Sequence, residues 1–391
     1  MLTINYEKCT GCGACIQKCP KECISWEIKE VGIKYPIINE DICVDCGICE
    51  KICPINNDIK IITKQKAYAA VHREKDTLNK STSGGAFTSI ANYVLDRNGV
   101  VYGVSMNSEK KVEHIRIDNK NELNNIRGSK YVQSDTGITY KSAERDLKKG
   151  LLVLYSGTPC QIDGLKSFLK KEYLNLITID IVCHGVGSQK YFDKYLDFAQ
   201  EKYGEIQELK FRDKEFVGWS CGGGVVVVSS NNNSIRKPYY DYENYYYAYF
   251  LSGDIYRKSC YTCKYANMNR VGDITLGDYW GVEALGIDLN TSEGCSLILA
   301  NTDVGEKILH HLDDIEMVET TLEQATHCNK QLVAPSALPN SRKKRIKEYE
   351  TMSALDIQKV YKKEHKKYVL KGKIKSMMPY KLKLFIRSKR K

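Results

Sequence analysis

The sequence predicts an α+β chain in which a small cysteine-rich module precedes a larger mixed α/β domain. Three observations carry that prediction. One cysteine rhythm occurs twice near the start, as Cys9, Cys12, Cys15 and Cys19-Pro20, and again as Cys43, Cys46, Cys49 and Cys53-Pro54. From Ala67 onward, short β-rich segments alternate with helical ones. The length of 391 residues exceeds what one ordinary core organises, which sets an expectation of two to three domains. The boundaries read from composition are 1–65 for the cysteine-rich module, 66–150 and 151–340 for the two parts of the α/β domain, and 341–391 for a basic tail.

The doubled run has the spacing of a bacterial-type ferredoxin with two [4Fe-4S] clusters. In C-x2-C-x2-C-x3-C-P, three thiolates hold one cubane and the fourth reaches across to the other. Cys9, Cys12 and Cys15 are therefore expected to share a cluster with Cys53, and Cys43, Cys46 and Cys49 with Cys19. Zinc is the alternative for paired cysteines, but structural zinc sites take four ligands in two pairs rather than two runs of four closed by proline.

Between the runs, Ile24 to Ile38 reads as short β segments, and Ile59 to Lys66 as a linker. Strands are then expected at Ala67–Val71, Val100–Ser105, Leu151–Tyr155, Ile177–Val182, Val225–Ser229, Ile274–Leu276 and Ser296–Ala300. Helices are expected at Ala86–Asp96, Gln161–Glu172, Lys190–Tyr203 and Val304–Leu312.

Charge is distributed unevenly. Residues 341–391 hold nineteen Lys and Arg against four acidic residues, a net of +15, while the whole chain carries +11, so residues 1–340 carry −4. A mildly acidic body excludes nucleic acid as the expected partner, and the aromatic stretch Tyr239 to Phe250 lacks the interleaved cations of a base-stacking platform. No apolar run approaches the ~20 residues that span a bilayer. Cluster thiolates need a reducing compartment and no cationic, apolar leader precedes Cys9, so the expected location is the cytoplasm. The end of the tail, KSMMPYKLKLFIRSKRK, mixes apolar and cationic side chains, a composition suited to peripheral contact with an anionic membrane or to a partner. A solvated terminal helix is the alternative, and Pro379 argues against an uninterrupted one.

Four later cysteines occupy suggestive settings. Cys160 follows Thr158 and Pro159 at an expected helix start, Cys183 ends a strand, and Cys260 and Cys263 form a CxxC pair among Arg257, Lys258 and Lys264. Together they could close a third four-thiolate site; zinc, a reactive redox pair and buried free thiols stay open as readings. Cys23, Cys221, Cys295 and Cys328 read as ordinary buried or half-buried cysteines. Two loops suit an anion: Ser83, Gly84 and Gly85 before a helix, and Gly128, Ser129, Lys130 and Tyr131 after Arg127. A capped helix and a solvated turn explain them equally, and neither is a GxGxxG or Walker loop. Clusters pass single electrons whereas nicotinamide and deazaflavin carriers exchange hydride, so an enzyme joining the two needs a flavin.

The segments STSGGAFTSI, RGSKYVQSD, YSGTPCQIDGL, DIVCHGVGS and KSCYTCKYANMNRVGDITLGDYWG, in that order, resemble the coenzyme F420 hydrogenase/dehydrogenase beta-subunit family, with a ferredoxin module fused in front. The resemblance covers about residues 1–330. It implies an oxidoreductase carrying FAD and a third [4Fe-4S] cluster, with Cys160, Cys183, Cys260 and Cys263 as the added ligands. It also assigns Ser83, Gly84, Gly85, Gly128, Ser129, Lys130 and Tyr131 to the flavin, Lys130 balancing pyrophosphate or bonding the ring. Asp278, Tyr279 and Trp280 are assigned to packing, and His184 to a hydrogen bond with a cluster sulfur. The implied partners are a redox protein such as ferredoxin and coenzyme F420 or another small acceptor. Two rivals stand beside this reading: a ferredoxin-dependent flavin reductase of a metabolite in surface-polysaccharide biosynthesis, and an adapter subunit without catalysis. No catalytic acid–base pair is apparent.

Overall fold

The computed structural model describes residues 5–59, 64–230 and 233–378. In the first module each cysteine run wraps a short helix, Ala14–Lys18 or Ile48–Lys51, entered through a glycine with positive φ, Gly13 at 80° and Gly47 at 67°. Each fourth cysteine precedes a proline and adopts extended backbone, Cys19 at φ −63°, ψ 117° and Cys53 at φ −67°, ψ 115°. A residue before proline is pushed out of the helical region, so the fourth thiol leaves the turn that holds the other three. The strands β1 (Ile24–Ile28) and β2 (Lys34–Ile38) pair antiparallel between the runs.

The second unit is built on an eight-stranded mixed sheet. Its strands are β3 (Lys66–His72), β4 (Val100–Met106), β5 (Val112–Ile117), β6 (Val153–Gly157) and β7 (Leu176–Ile181), joined later by three more. A separate antiparallel sheet contains β8 (Ile206–Lys210), β9 (Gly223–Ser230) and β10 (Asn233–Tyr240). The chain then returns to the large sheet with β11 (Ile274–Asp278), β12 (Ser296–Ala300) and β13 (Ile315–Thr320). The order is β13-β3-β12-β11-β7-β6-β4-β5. β4, β6, β7 and β11 run parallel, and the remaining pairings are antiparallel. The expected parts 66–150 and 151–340 both feed this sheet, so they share one architecture. β6 and β12 are buried along their whole length, as strands covered on both faces are.

One face packs against the helix Ala86–Leu95 through Ile90, Ala91 and Val94. The other packs against the helices Thr139–Lys148 and Pro159–Leu169, and that core takes in Cys12, Ala14 and Ile52 of the first module. The two units are thus joined by shared apolar burial rather than only by the chain.

The expected elements are present, with ends shifted by a few residues. The expected linker overlaps β3 at Lys66, and its residues 60–63 lie outside the described residues. The aromatic stretch is interior: Tyr245, Tyr246 and Tyr247 are fully buried against the helix Gln189–Tyr203 and the second sheet. Where described, the basic segment is not a loose tail. It forms the helices Arg342–Thr351, Ala354–Glu364 and Lys366–Met377, and Ile357 and Tyr361 join the aromatic core. Arg345 is buried in ion pairs with Glu348 and Glu364 at 2.7 and 2.8 Å. Residues 379–391, which carry most of the cationic apolar stretch, lie outside the described residues.

Candidate functional site

The cysteines singled out from spacing come together around three cavities. Cys9, Cys12, Cys15 and Cys53 line the first, of about 120 Å³. Cys19, Cys43, Cys46 and Cys49 line the second, where Cys46 is exposed. Cys160, Cys183, Cys260 and Cys263 line the third. Local sequence explains the last set. Thr158 and Gln161 form a reciprocal capping box and Pro159 fills the first helical position, which fixes Cys160 in the opening turn. Cys183 lies just past β7, and Cys260 sits in the 3-10 turn Lys258–Thr262 with Cys263 extended immediately after it.

Burial, reinforced by neighbouring thiols, pushes Cys15 and Cys260 up to about 12. Burial likewise pushes Cys160 up to about 11 and holds Cys12 and Cys183 well above the ordinary thiol range. Ionised together, the thiols of either cavity would repel one another, and a cationic centre would offset that repulsion. Among the described residues, no three or more His, Cys, Asp or Glu side chains gather as they would around a single metal ion.

Cys23 is buried as expected, on the wall of the second cavity with its Sγ 3.4 Å from that of Cys19. Cys295 is buried as expected, whereas Cys221 and Cys328 are exposed.

The first and third cavities share a wall. Thr10 lines both, and Arg257 lines the third while packing onto the first module. The Arg257 guanidinium donates to Lys34 O at 2.6 Å, to Cys9 O at 3.4 Å and to Gln133 Oε1 at 3.0 and 3.1 Å, and Gln133 in turn donates to Thr10 O at 2.9 Å. Gly11 has φ +67°, and a Cβ there would stand 2.5 Å from Arg257 Nη2, so only glycine permits this approach. On the other side Lys264, next to Cys263, donates to Pro54 O at 2.5 Å and Asn57 O at 2.7 Å, tying the segment after Cys53 to the CxxC turn. Spacing alone marks Arg257 and Lys264 only as nearby charges; their bonds to the first module depend on tertiary contacts.

The two anion-suited loops are neighbours: a Cβ on Gly128 would lie 3.9 Å from Thr82 Oγ1. Ser83 Oγ donates to Cys295 O at 2.6 Å and Gly84 N to Ser296 Oγ at 2.9 Å. The glycines also have a packing role, since a Cβ on Gly84 would meet Ala70 O at 2.0 Å and one on Gly85 would meet His72 Cβ at 2.7 Å. Three cations surround the loops. Lys130 Nζ donates to Arg127 O at 2.6 Å, and Lys214 Nζ donates to Leu78 O at 2.8 Å and to Ser83 O. Burial pushes both lysines down to about 7. Arg127 Nε is buried without a hydrogen-bond partner. The hydrogen-bond partners of the two lysines are carbonyls, while Asp278 and Glu293 act on Lys214, and Asp76 and Glu74 on Arg127, through their fields; an anion such as a pyrophosphate would add to that compensation.

Tyr131 stacks on Phe250 with ring centroids 4.6 Å apart. Asp278, expected only to pack, accepts two bonds from Arg212 at 2.5 and 3.0 Å and one from Trp219 Nε1 at 2.7 Å. Trp219 stacks on Trp280 at 4.8 Å, whereas Tyr279 is buried as a packing residue. His184 joins the two regions: it lines the third cavity and lies within the field of the Asp278 carboxylate, while burial lowers its proton affinity.

Family models match most of the chain. The model for the C-terminal part of the coenzyme F420 hydrogenase/dehydrogenase beta subunit matches residues 151–325, and the model for its N-terminal part matches residues 67–137. A 4Fe-4S dicluster domain matches residues 8–57. No curated protein matches the chain. Among solved structures, a chain of the xenon-derivatised F420-reducing [NiFe] hydrogenase complex from Methanosarcina barkeri is 16% identical, with a TM-score of 0.42 over 78% of this chain and 93% of that one. The two beta-subunit models together span more than half of the sequence, and the chain belongs to the coenzyme F420 hydrogenase/dehydrogenase beta-subunit family of oxidoreductases, with an iron–sulfur dicluster module in front.

Proposed function

We propose that the chain is an iron–sulfur flavoprotein that relays electrons between its ferredoxin module and an FAD, and exchanges hydride with coenzyme F420 or a related organic acceptor. The observation that carries this reading is the wall between the first and third cavities, formed by Thr10 and braced by Arg257, because it joins the ferredoxin module to the unit that holds the cations Lys130, Lys214 and Arg127. The residues proposed to hold clusters are the three sets of four cysteines. The flavin is proposed to lie between Ser83–Gly85 and Gly128–Tyr131, with Lys130, Lys214 and Arg127 facing its phosphates. A bound flavin supplies the exchange between single electrons and hydride. The chain's own residues hold cations for the pyrophosphate, an aromatic surface beside Tyr131, and the Arg212–Asp278 pair that fixes Trp219.

We also place the protein in a reducing compartment, with its last described helix against an anionic bilayer. No helix among the described residues is long and apolar enough to cross a membrane. Lys366–Met377 contains five lysines and no acidic residue, and exposes Leu370, Ile374 and Met377 at helical spacing by 60%, 52% and 83%. Its other side is anchored through Tyr368, which donates to Asp241 at 2.5 Å.

Iron, sulfide and flavin counts on anaerobically purified protein test the relay. About twelve irons, from three four-iron clusters, with one FAD are expected. About eight irons and no flavin after reconstitution would leave an electron-transfer adapter. With flavin present, comparing F420 with sugar-linked metabolites as oxidants of the photoreduced protein separates the two catalytic readings.

A further inference from the structure

The second thiol cavity has five cysteines on its wall rather than four. Cys23 is 6% exposed, its Sγ stands 3.4 Å from Cys19 Sγ, and its thiol also lies against Cys43. The ferredoxin motif does not require a cysteine here, and alanine or valine would fill an interior position before β1 equally well. The backbone keeps the thiol in place: Asn39 N donates to Cys23 O at 2.8 Å, which pins it opposite the second cysteine run. The sulfur of Cys19 lies against the backbone N–H groups of Lys21, Glu22 and Cys23, in the same turn. Cys19 follows the five-residue helix, and the turn joining it to Cys23 is closed by a Glu22 N to Cys19 O bond at 3.3 Å, with Glu22 at φ +50°.

We propose that Cys23 is a reserve ligand of the second cluster, able to take the iron that Cys19 holds. The inference rests on the reading that this cavity holds a [4Fe-4S] cluster. The exchange is a substitution at iron. The Cys19 sulfur–iron bond breaks and that sulfur takes up a proton, while the Cys23 thiol releases a proton and its sulfur–iron bond forms. No electron moves and no outside oxidant takes part. A four-residue separation and the adjacent sulfurs confine the movement to the Cys19–Cys23 turn. The other three ligands stay on the opposite run, so the cluster keeps its place while one corner changes hands.

Iron and sulfide counts, with EPR of the dithionite-reduced full-length protein, test this. Cys19→Ala should keep the wild-type iron count with an altered EPR signal, Cys23→Ala should keep the count, and the double variant should lose about four irons. Loss of the same four irons from Cys19→Ala alone would overturn the inference. The double variant C43A/C46A serves as reference: loss of about four irons there shows that the cavity holds a cluster. An unchanged count in that reference would remove the cluster reading and the inference together. Should C19A not accumulate with iron in cells, reconstitution of the purified C19A protein with ferrous iron and sulfide gives the count, and far-UV circular dichroism reports its fold.

Discussion

The guanidinium of Arg257 lies 4.7 Å from the centre of the Tyr35 ring, across the boundary between the ferredoxin module and the α/β unit. Arg257 is also fully buried, so its donors to Lys34 O, Cys9 O and Gln133 are not shared with water. Arg257→Met should leave those acceptors unsatisfied and cost about 2–4 kcal/mol. Guanidinium denaturation followed by cluster absorbance should show an earlier bleaching midpoint, and stopped-flow reduction should show slower flavin reduction at unchanged iron content. Arg257→Lys should recover less than half of the loss, because an ammonium cannot span the same acceptors. A wild-type midpoint in R257M would refute this role.

His114 makes stability depend on acidity. Burial lowers it to about 4, with its Nε2 bonded to Ser156 O at 3.0 Å, against about 6.5 for an exposed imidazole. The unfolded chain thus binds a proton between about pH 6.5 and 4 that the folded chain refuses. The contribution is complete above that window and is lost as pH falls through it. Between pH 7.5 and 5.5 the loss should be about 1 kcal/mol. Urea midpoints at the two pH values should show it, and His114→Gln should reduce the difference; an unchanged difference would assign the acid sensitivity to other groups.

Lys130 and Lys214 carry charge below about pH 7 and lose it above, since burial lowers both from the ordinary lysine range. An anionic ligand favours the charged forms, so FAD affinity should fall as pH rises from about 6.5 to 8.5, by up to roughly tenfold for each unit per lysine. Fluorescence titration of the deflavinated protein measures this. The variant K130M/K214M should bind FAD more weakly at pH 6.5 and show a flatter profile. Equal pH slopes in the two proteins would place the phosphates elsewhere.

The exposed stripe Leu370, Ile374 and Met377 predicts vesicle binding. The wild-type chain should sediment with vesicles containing phosphatidylglycerol and much less with phosphatidylcholine alone, and salt should weaken the interaction. L370E/I374E should bind severalfold less while keeping its flavin and iron. Equal sedimentation of this variant would move the contact away from the stripe.

Much of this molecule is legible from local sequence because three of the four thiols in each ferredoxin set come from one short run. Spacing within each cysteine run, and the proline after it, determine which thiols turn outward. Strands such as Ser296–Ala300 are legible from apolar runs. The position of β13 beside β3 is not, because that pairing joins residues more than two hundred apart. Cys23 escapes a motif-based reading since no motif includes it, and its role depends on the fold bringing it beside Cys19. Gly84 and Gly85 suit a ligand, and they also admit the sheet, which a sequence cannot distinguish. The basic tail misleads for a related reason: net charge hides Ile357 and Tyr361, whose spacing places both in the core.

Gly164 closes the molecule from the other side. A Cβ there would come within 2.9 Å of Cys12 Cβ, and Tyr140 donates to Cys12 O at 3.0 Å. The ferredoxin head is therefore no interchangeable plug. Cutting the chain between the units would expose an interior seam, and a foreign ferredoxin grafted in its place would have to reproduce Thr10, Gly11 and the contour of Cys12.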